Sequence, residues 1–236
     1  MRNMPALTWR ELSGYFFSPP AYIILTVFLG LSGFIFYLTV GGSGLADLRG
    51  WTGATFFILL LAAPMITMRL LAEEARSGSI EMLMTVAVTE TEVVLSKFLG
   101  ALLFYFFMLA PSVVYVIILA ILGDPDPGQI IAGYAGLVLV GSLALSVGLF
   151  CSSLTRNQIV AAVSGLVAVF FLWLIAYGAE LTGGRAGRAL DYVGVVSHMQ
   201  GFMKGLIDSR DVGYFVTGTA LFLFLSVKVL ESRRWR

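Results

Sequence analysis

The sequence predicts an all-α integral membrane protein with six transmembrane helices, and three observations predict it. Of the 236 residues, 58% are hydrophobic and only 12% charged, an apolar excess well beyond that of soluble domains. Six apolar segments approach the roughly 20 residues that a helix needs to cross about 30 Å of hydrocarbon. The charges gather between those segments rather than inside them. A net charge of +1 gives no bulk electrostatic basis for nucleic-acid binding. The single cysteine, Cys151 in an apolar segment, excludes a disulfide framework and a cysteine metal cluster.

Residues 1–20 read as an interfacial elbow. From Thr8 to Phe17, the residues Trp9, Leu12, Tyr15 and Phe16 stand at helical spacing, and Thr8 with Glu11 fits a capping box. Ser18, Pro19 and Pro20 end this helix, because proline lacks an amide donor and restricts the residue before it. The elbow either fixes the first span against the bilayer surface or is an ordinary aromatic anchor. Arg2, Arg10 and Glu11 precede an apolar segment of full spanning length with no small-residue cleavage site, unlike a removable signal peptide.

The spans are expected at Ala21 to Val40, Gly53 to Leu71, Phe98 to Leu122, Ile130 to Leu154, Ile159 to Leu181 and Tyr214 to Leu230. Turn chemistry marks three ends, at Gly41 to Gly44, Asp124 to Gly128 and Thr182 to Gly184. An even number of spans puts both termini on one side. That side carries Arg2, Arg10, Arg69, Arg76, Lys97, Arg156, Lys228, Arg233, Arg234 and Arg236. The other carries only Arg49, Arg185, Arg188, Lys204 and Arg210, so the termini are expected in the cytoplasm. No internal repeat or low-complexity stretch divides the chain, which reads as one helical domain.

Chemistry-bearing residues are sparse. No ionisable group lies well inside a span, which argues against a proton- or ion-driven carrier. Ala144, Gly148 and Ser152 at four-residue spacing, and Ala161 with Gly165, suit close helix packing within the bundle or between protomers. His198, Asp191, Asp208 and Asp211 show no ligand spacing and read as a solvated loop. Asp124 and Asp126 alternate with prolines in a turn. The three lysines follow Ser96, Met203 and Val227, so no Gly-Lys-[Ser/Thr] phosphate loop exists. Neither a catalytic nor a metal site is expected.

The stretch from Met68 to Phe98, with a loop at 72–92, is charged but patterned. Gly78 is placed to end a helix in the left-handed conformation. Ile80, Leu83, Met84 and Ala87 then form one apolar face of a short helix, with Glu81 and Thr85 pointing elsewhere. Two turns of helix are marginal alone in water, so this segment needs a surface. A partner's groove and the lipid interface fit equally. Thr89 and Glu92 make a capping box for the next span.

The run from Arg69 to Thr85, followed by Thr89 to Leu99, resembles the first cytoplasmic loop of ABC-2-type permeases, nearest to the gliding-motility-type and copper-processing branch. The resemblance extends to Phe17 to Ile23, to His198, to Lys204 to Asp211 with Tyr214 and Phe215, and to Leu230 to Trp235. It implies a six-helix permease subunit of an exporter with an N-terminal elbow, a coupling helix, and re-entrant helices within 182–213. Two subunits, copies or paralogues, pair in that family, and each docks a separate cytosolic ATPase chain that holds ATP and Mg. This chain then carries no cofactor and is not itself an enzyme.

Glu74, Arg76, Gly78 and Glu81 fall on the family's Glu-Glu-x-x-x-Gly-[Thr/Ser]-x-Glu pattern, whereas Ala87 and Ser96 stand where relatives often have proline and glycine. On this resemblance the helix from Ser79 to Val86 enters an ATPase cleft. Glu74, Arg76 and Glu81 make its polar contacts, and Ile80, Leu83 and Met84 fill the cleft. The expected location is the cytoplasmic (inner) membrane, in contact with lipid. The gliding association adds an extracytoplasmic auxiliary protein. Rival readings are a membrane scaffold for an extracytoplasmic machine and an ATP-independent channel or carrier. Tyr105, Tyr115, Tyr177 and scattered serines suit lipid, peptide or polysaccharide alike, and nine dispersed methionines form no thioether cluster.

Overall fold

The computed structural model describes residues 4–43, 47–78 and 89–234. Among them the chain runs through α1 (Met4–Phe16), α2 (Pro19–Ser43), α3 (Arg49–Thr67), α4 (Ala72–Ser77) and α5 (Glu90–Leu109). A 3₁₀ turn (Ala110–Ser112) leads to α6 (Val113–Leu122), then α7 (Pro127–Leu154), α8 (Gln158–Thr182), α9 (Gly184–Val193), α10 (Val195–Met203) and α11 (Ser209–Arg234). Six stretches are long and apolar enough to cross a membrane: Pro19–Gly41, Arg49–Ser77, Glu90–Leu122, Pro127–Leu154, Gln158–Ala179 and Ser209–Ser232. Each coincides with a segment expected from the sequence. The protein is an all-α, multi-pass membrane protein.

The largest boundary difference falls on the third span, which starts at Glu90 instead of near Phe98. Thr89 caps it: its side chain accepts from the Glu92 amide at 3.3 Å, while Glu92 Oε2 accepts from the Thr89 amide at 3.2 Å. The helix therefore begins two turns earlier, and Lys97 lies inside it, buried. Lys97, expected in the loop ahead of the third span, is thus in its second turn.

The spans are unequally enclosed. In α3 and α7, 61% and 72% of the span is buried, against 17%, 17% and 11% in α2, α8 and α11, so α3 and α7 form the centre of the bundle. Small residues allow their approach. A Cβ on Gly148 would fall 2.0 Å from Thr67 Oγ1, and one on Gly165 would fall 3.3 Å from Pro64 Cβ and 3.6 Å from the Gly148 Cα. Ala144 and Ala161, on the same two helices, are buried. Of the two packing partners the sequence allowed, these contacts are within the bundle, joining α3, α7 and α8. Buried polar links add direction: Tyr105 donates to the Leu137 carbonyl at 2.6 Å and Trp51 Nε1 to Ser32 Oγ at 3.1 Å.

Between the last two spans the chain forms two short helices, α9 and α10, joined at Gly194. Gly183 and Gly184 adopt positive φ of 61° and 62° at the start of α9. Val195, Met199 and Phe202 of α10 are buried, and Gly136 of α7 leaves room for Phe202, whose Cβ would lie 2.7 Å from a Cβ added there. His198 is not solvated as expected. It is 6% exposed, stacks on Tyr214 at 4.0 Å, and its Nδ1 and Nε2 face Asp211 Oδ1 at 2.7 Å and the Tyr192 carbonyl at 2.9 Å. Asp211, thirteen residues on, reaches it from the first turn of α11.

The helix contacts make a contrast testable. Gly148→Ala should destabilise the purified protein by about 1–3 kcal/mol, because the methyl overpacks against Thr67. Gly30→Ala, where an added Cβ meets nothing within 4 Å, should be neutral or slightly stabilising. Thermal unfolding in detergent reads both.

Candidate functional site

Pro64 within α3 removes one amide donor from the helix ladder, and Thr67 turns its hydroxyl back onto the Ala63 carbonyl at 2.9 Å. The helix then opens into a turn over residues 68–71 before α4. Ser152 of α7 stabilises that opening. Its Oγ accepts from the Leu71 and Ala72 amides at 3.2 and 3.0 Å and donates to the Met68 carbonyl at 3.2 Å. A buried hydroxyl thus satisfies backbone groups that the interrupted helix leaves free.

α4 ends at Gly78, whose φ of 74° is left-handed, a conformation open to glycine without a Cβ penalty. The segment 79–88 that follows, with Ile80, Glu81, Leu83 and Met84, lies outside the described residues. The chain returns at the Thr89 cap. Both ends of the loop are tied together below it. Lys97 Nζ of α5, 2% exposed, donates to Glu74 Oε1 of α4 at 2.7 Å and to Glu11 Oε1 of α1 at 3.2 Å. Arg10 bonds Glu11 at 2.9 Å and lies 3.9 Å from Glu74. Two cations and two carboxylates balance, with the two carboxylates mostly buried.

The elbow helix supplies half of these acids by packing closely along α5. A Cβ on Gly100 would fall 2.7 Å from Glu11 Cβ, so glycine there lets α1 bring its carboxylate to Lys97. Tyr15 stacks on Phe104 at 4.7 Å and donates to the Ile66 carbonyl at 2.9 Å. Burial, reinforced by the Glu11 carboxylate, pushes the Tyr15 phenol well above its ordinary range, so it remains a donor. Phe16 meets Phe104 and Phe107 edge-on and Leu12 packs on the core, while Trp9 is exposed.

The N-terminal capping box is corrected. α1 begins at Met4, and Thr8 sits inside it with Oγ1 donating to the Met4 carbonyl at 2.9 Å. Of the loop residues singled out from the sequence, Arg76 and Gly78 are exposed at the loop's mouth. Glu74 is not directed outward as expected, since Lys97 engages it within the chain. Lys97, Glu11, Tyr15 and Ser152 stand in the sequence as a loop cation, a capping-box partner, an elbow aromatic and a packing residue; the contacts they make here are not expected from it. A cap at Thr89 already implied a helix through Lys97, so that one signal was available.

The fold and this loop define a polytopic membrane protein whose second and third spans are bridged by a charge-locked loop. A family model described as "ABC-2 family transporter protein" matches residues 43–226, and the chain belongs to that family. It is 26% identical over 189 residues to "Probable multidrug ABC transporter permease YbhS" of Escherichia coli (strain K12), and equally to the protein of that name from Escherichia coli O157:H7. Those matches cover 78% of this chain and 49% of each relative, so the chain spans about half the length of the curated relatives it matches. By family, this is a transporter permease.

The lock can be measured by a double-mutant cycle. Glu74→Gln and Lys97→Met should each lower stability, the latter by about 3 kcal/mol because it leaves two carboxylates facing one another. Their effects should be strongly non-additive. Additive losses on thermal unfolding would dismiss the pairing.

Proposed function

We propose that the chain is the permease subunit of an ABC exporter, moving its substrate at the expense of ATP hydrolysed on a separate chain. Membership of the ABC-2 transporter family supports the coarse reading. The observation that carries the finer one is the Lys97–Glu74–Glu11 lock, which ties both ends of the 79–88 segment to the elbow helix. Parting the ends of the loop would uncover a buried charge, which is strongly unfavourable, so the lock supports a loop that moves together with the elbow helix.

In this reading the termini and the loop face the cytoplasm of a cell whose inner membrane holds the protein, as the distribution of basic residues supports. Ile80, Leu83 and Met84 seat in a cleft of the cytosolic ATPase, and Arg76 and Glu81 supply polar contacts at its rim. Glu74 works inward, transmitting the load. The chain acts in a dimer with a second permease, either a copy or a paralogue, and ATP with Mg belongs to the ATPase. The relatives' printed name supports a multidrug class of substrate.

Leu83→Asp tests the coupling. The variant should insert and fold normally while co-purifying with its ATPase at least tenfold more weakly, since a buried anchor at an interface is worth about 2 kcal/mol. Undiminished association with the ATPase would refute the docking role.

A further inference from the structure

Arg69 follows the end of α3 and is exposed, yet neutral groups from two other parts of the fold hold it in place. Its Nη1 donates to Ser18 Oγ at 3.1 Å and its Nε to Gln158 Oε1 at 3.2 Å. Among the described residues no carboxylate lies within salt-bridge distance of it. Ser18 immediately precedes α2 and Gln158 is the first residue of α8, so the guanidinium sits between the N-termini of two spanning helices. Those ends are the positive poles of the helix dipoles and favour anions. A cation fixed between them is at odds with that field until an anion joins it. Glu73 does not serve: it stands in the first turn of α4, where it complements that helix's own N-terminus.

Arg69 and Ser18 also line a cavity of about 240 Å³ between α1, the start of α2 and the end of α3, far more than the roughly 10–15 Å³ that one water needs. Pro20, Ala21, Ile24, Met65 and Ile66 make much of its lining apolar. Lys97 reaches the same cavity but is spent on Glu11 and Glu74, which leaves Arg69 as the cation on offer. The cavity lies where the first span starts and α3 ends, at the depth where hydrocarbon gives way to water. Donors remain beside the charge. A guanidinium has five N–H groups and two are engaged here. The Ser18 hydroxyl proton and the Gln158 amide hydrogens have no acceptor among the described residues.

We propose that Arg69, Ser18 and Gln158 bind the phosphodiester of a membrane phospholipid, with an acyl chain of that lipid entering the cavity. Arg69 takes two phosphate oxygens through paired N–H donors, and the Ser18 hydroxyl and Gln158 amide donate to the oxygens alongside. The chain covers Ala21, Ile24 and Met65. A basic pocket between spans at the bilayer surface is an established setting for lipid phosphate. Free phosphate leaves the apolar lining bare, and a lipid without phosphate leaves the arginine unpaired, so the cavity and the charge together select the phospholipid. The site is independent of the ATPase coupling proposed above, and the single chain suffices to test it.

The test is thermal unfolding of the full chain in detergent with three probes: dioctanoyl phosphatidylglycerol, dioctanoylglycerol, which has the chains without the phosphate, and glycerol 3-phosphate, which has the phosphate without the chains. At about ten times its Kd, the phospholipid should raise Tm by about 3 °C. The other two should give clearly smaller shifts at the same concentration. Arg69→Gln should bring the phospholipid down to the level of dioctanoylglycerol. Ser18→Ala and Gln158→Ala should each raise its Kd about fivefold, as loss of one hydrogen bond does. Glu73→Gln, which removes the leftover negative charge lining the cavity, should lower it by about two- to threefold.

Because Arg69→Gln also disturbs two hydrogen bonds, Gly14→Leu gives a second arm. Gly14 lines the cavity and a Cβ there meets nothing within 4 Å, so leucine fills the space while the phosphate donors stay. It should abolish the phospholipid shift with Tm in detergent alone unchanged or slightly raised. A dioctanoylglycerol shift equal to that of the phospholipid, or a phospholipid shift that survives either Arg69→Gln or Gly14→Leu, would overturn the assignment. Glycerol 3-phosphate matching the phospholipid would overturn lipid as the source of the phosphate.

Discussion

A lysine ammonium with 2% of its side chain exposed has to be neutralised where it stands, and much of the loop-bearing end of this protein follows from that. Removing an ion from water costs several kcal/mol even in real proteins, and only close, well-oriented counter-charges offset it. Lys97 is on α5, Glu74 on α4 and Glu11 on α1, so the ion is satisfied only when all three helices meet. Gly100 and the Tyr15–Phe104 stack then become parts of one requirement: they let α1 approach α5 closely enough for its carboxylate to arrive.

The same end solves a second problem, how to bend a membrane helix without leaving backbone groups bare. In hydrocarbon, free amides and carbonyls are tolerated only where protein re-satisfies them. Pro64 and the turn over 68–71 interrupt the second span, and Ser152 receives two of the released amides and gives its proton to a carbonyl. One turn away, Gly148 makes room for Thr67. The stripe of Ala144, Gly148 and Ser152 therefore has two physical roles on one helix face: absence of side chain where α3 must approach, and a hydroxyl where it must open.

Bilayer thickness sets span length directly, which is why six spans could be read from hydropathy and their ends differ by only a few residues for most. Gly78 and the Thr89–Glu92 box were legible because caps are local, involving residues three apart at most. Thr8 was misread for the same locality. A threonine three residues before a glutamate looks alike at a helix start and inside a helix, and only the extension back to Met4 separates them. Groups that act across the fold left no such trace. His198 meets Asp211 across the turn between α10 and α11, Ser152 reaches Leu71 across eighty-one residues, and Lys97 finds Glu11 across eighty-six. Periodicity reports a face, not the partner that will cover it.

The lock also restricts how motion could enter the bundle. The segment between Gly78 and Thr89 is flanked by α4 and α5, and those helices cannot part without withdrawing Glu74 from Lys97. Uncovering that charge costs about 3–5 kcal/mol, comparable with a large share of a domain's stability. Rotating α1, α4 and α5 together keeps every ion contact; it costs packing and the two tyrosine hydrogen bonds to the Leu137 and Ile66 carbonyls, each worth about 1 kcal/mol. The turn held by Ser152 is the place where such a unit can hinge against α3 and α7, since its three hydrogen bonds are individually worth about 1 kcal/mol each. A pull on the loop is thus expected to tilt one rigid three-helix block, with the first span following through the short Phe17 and Ser18 connection.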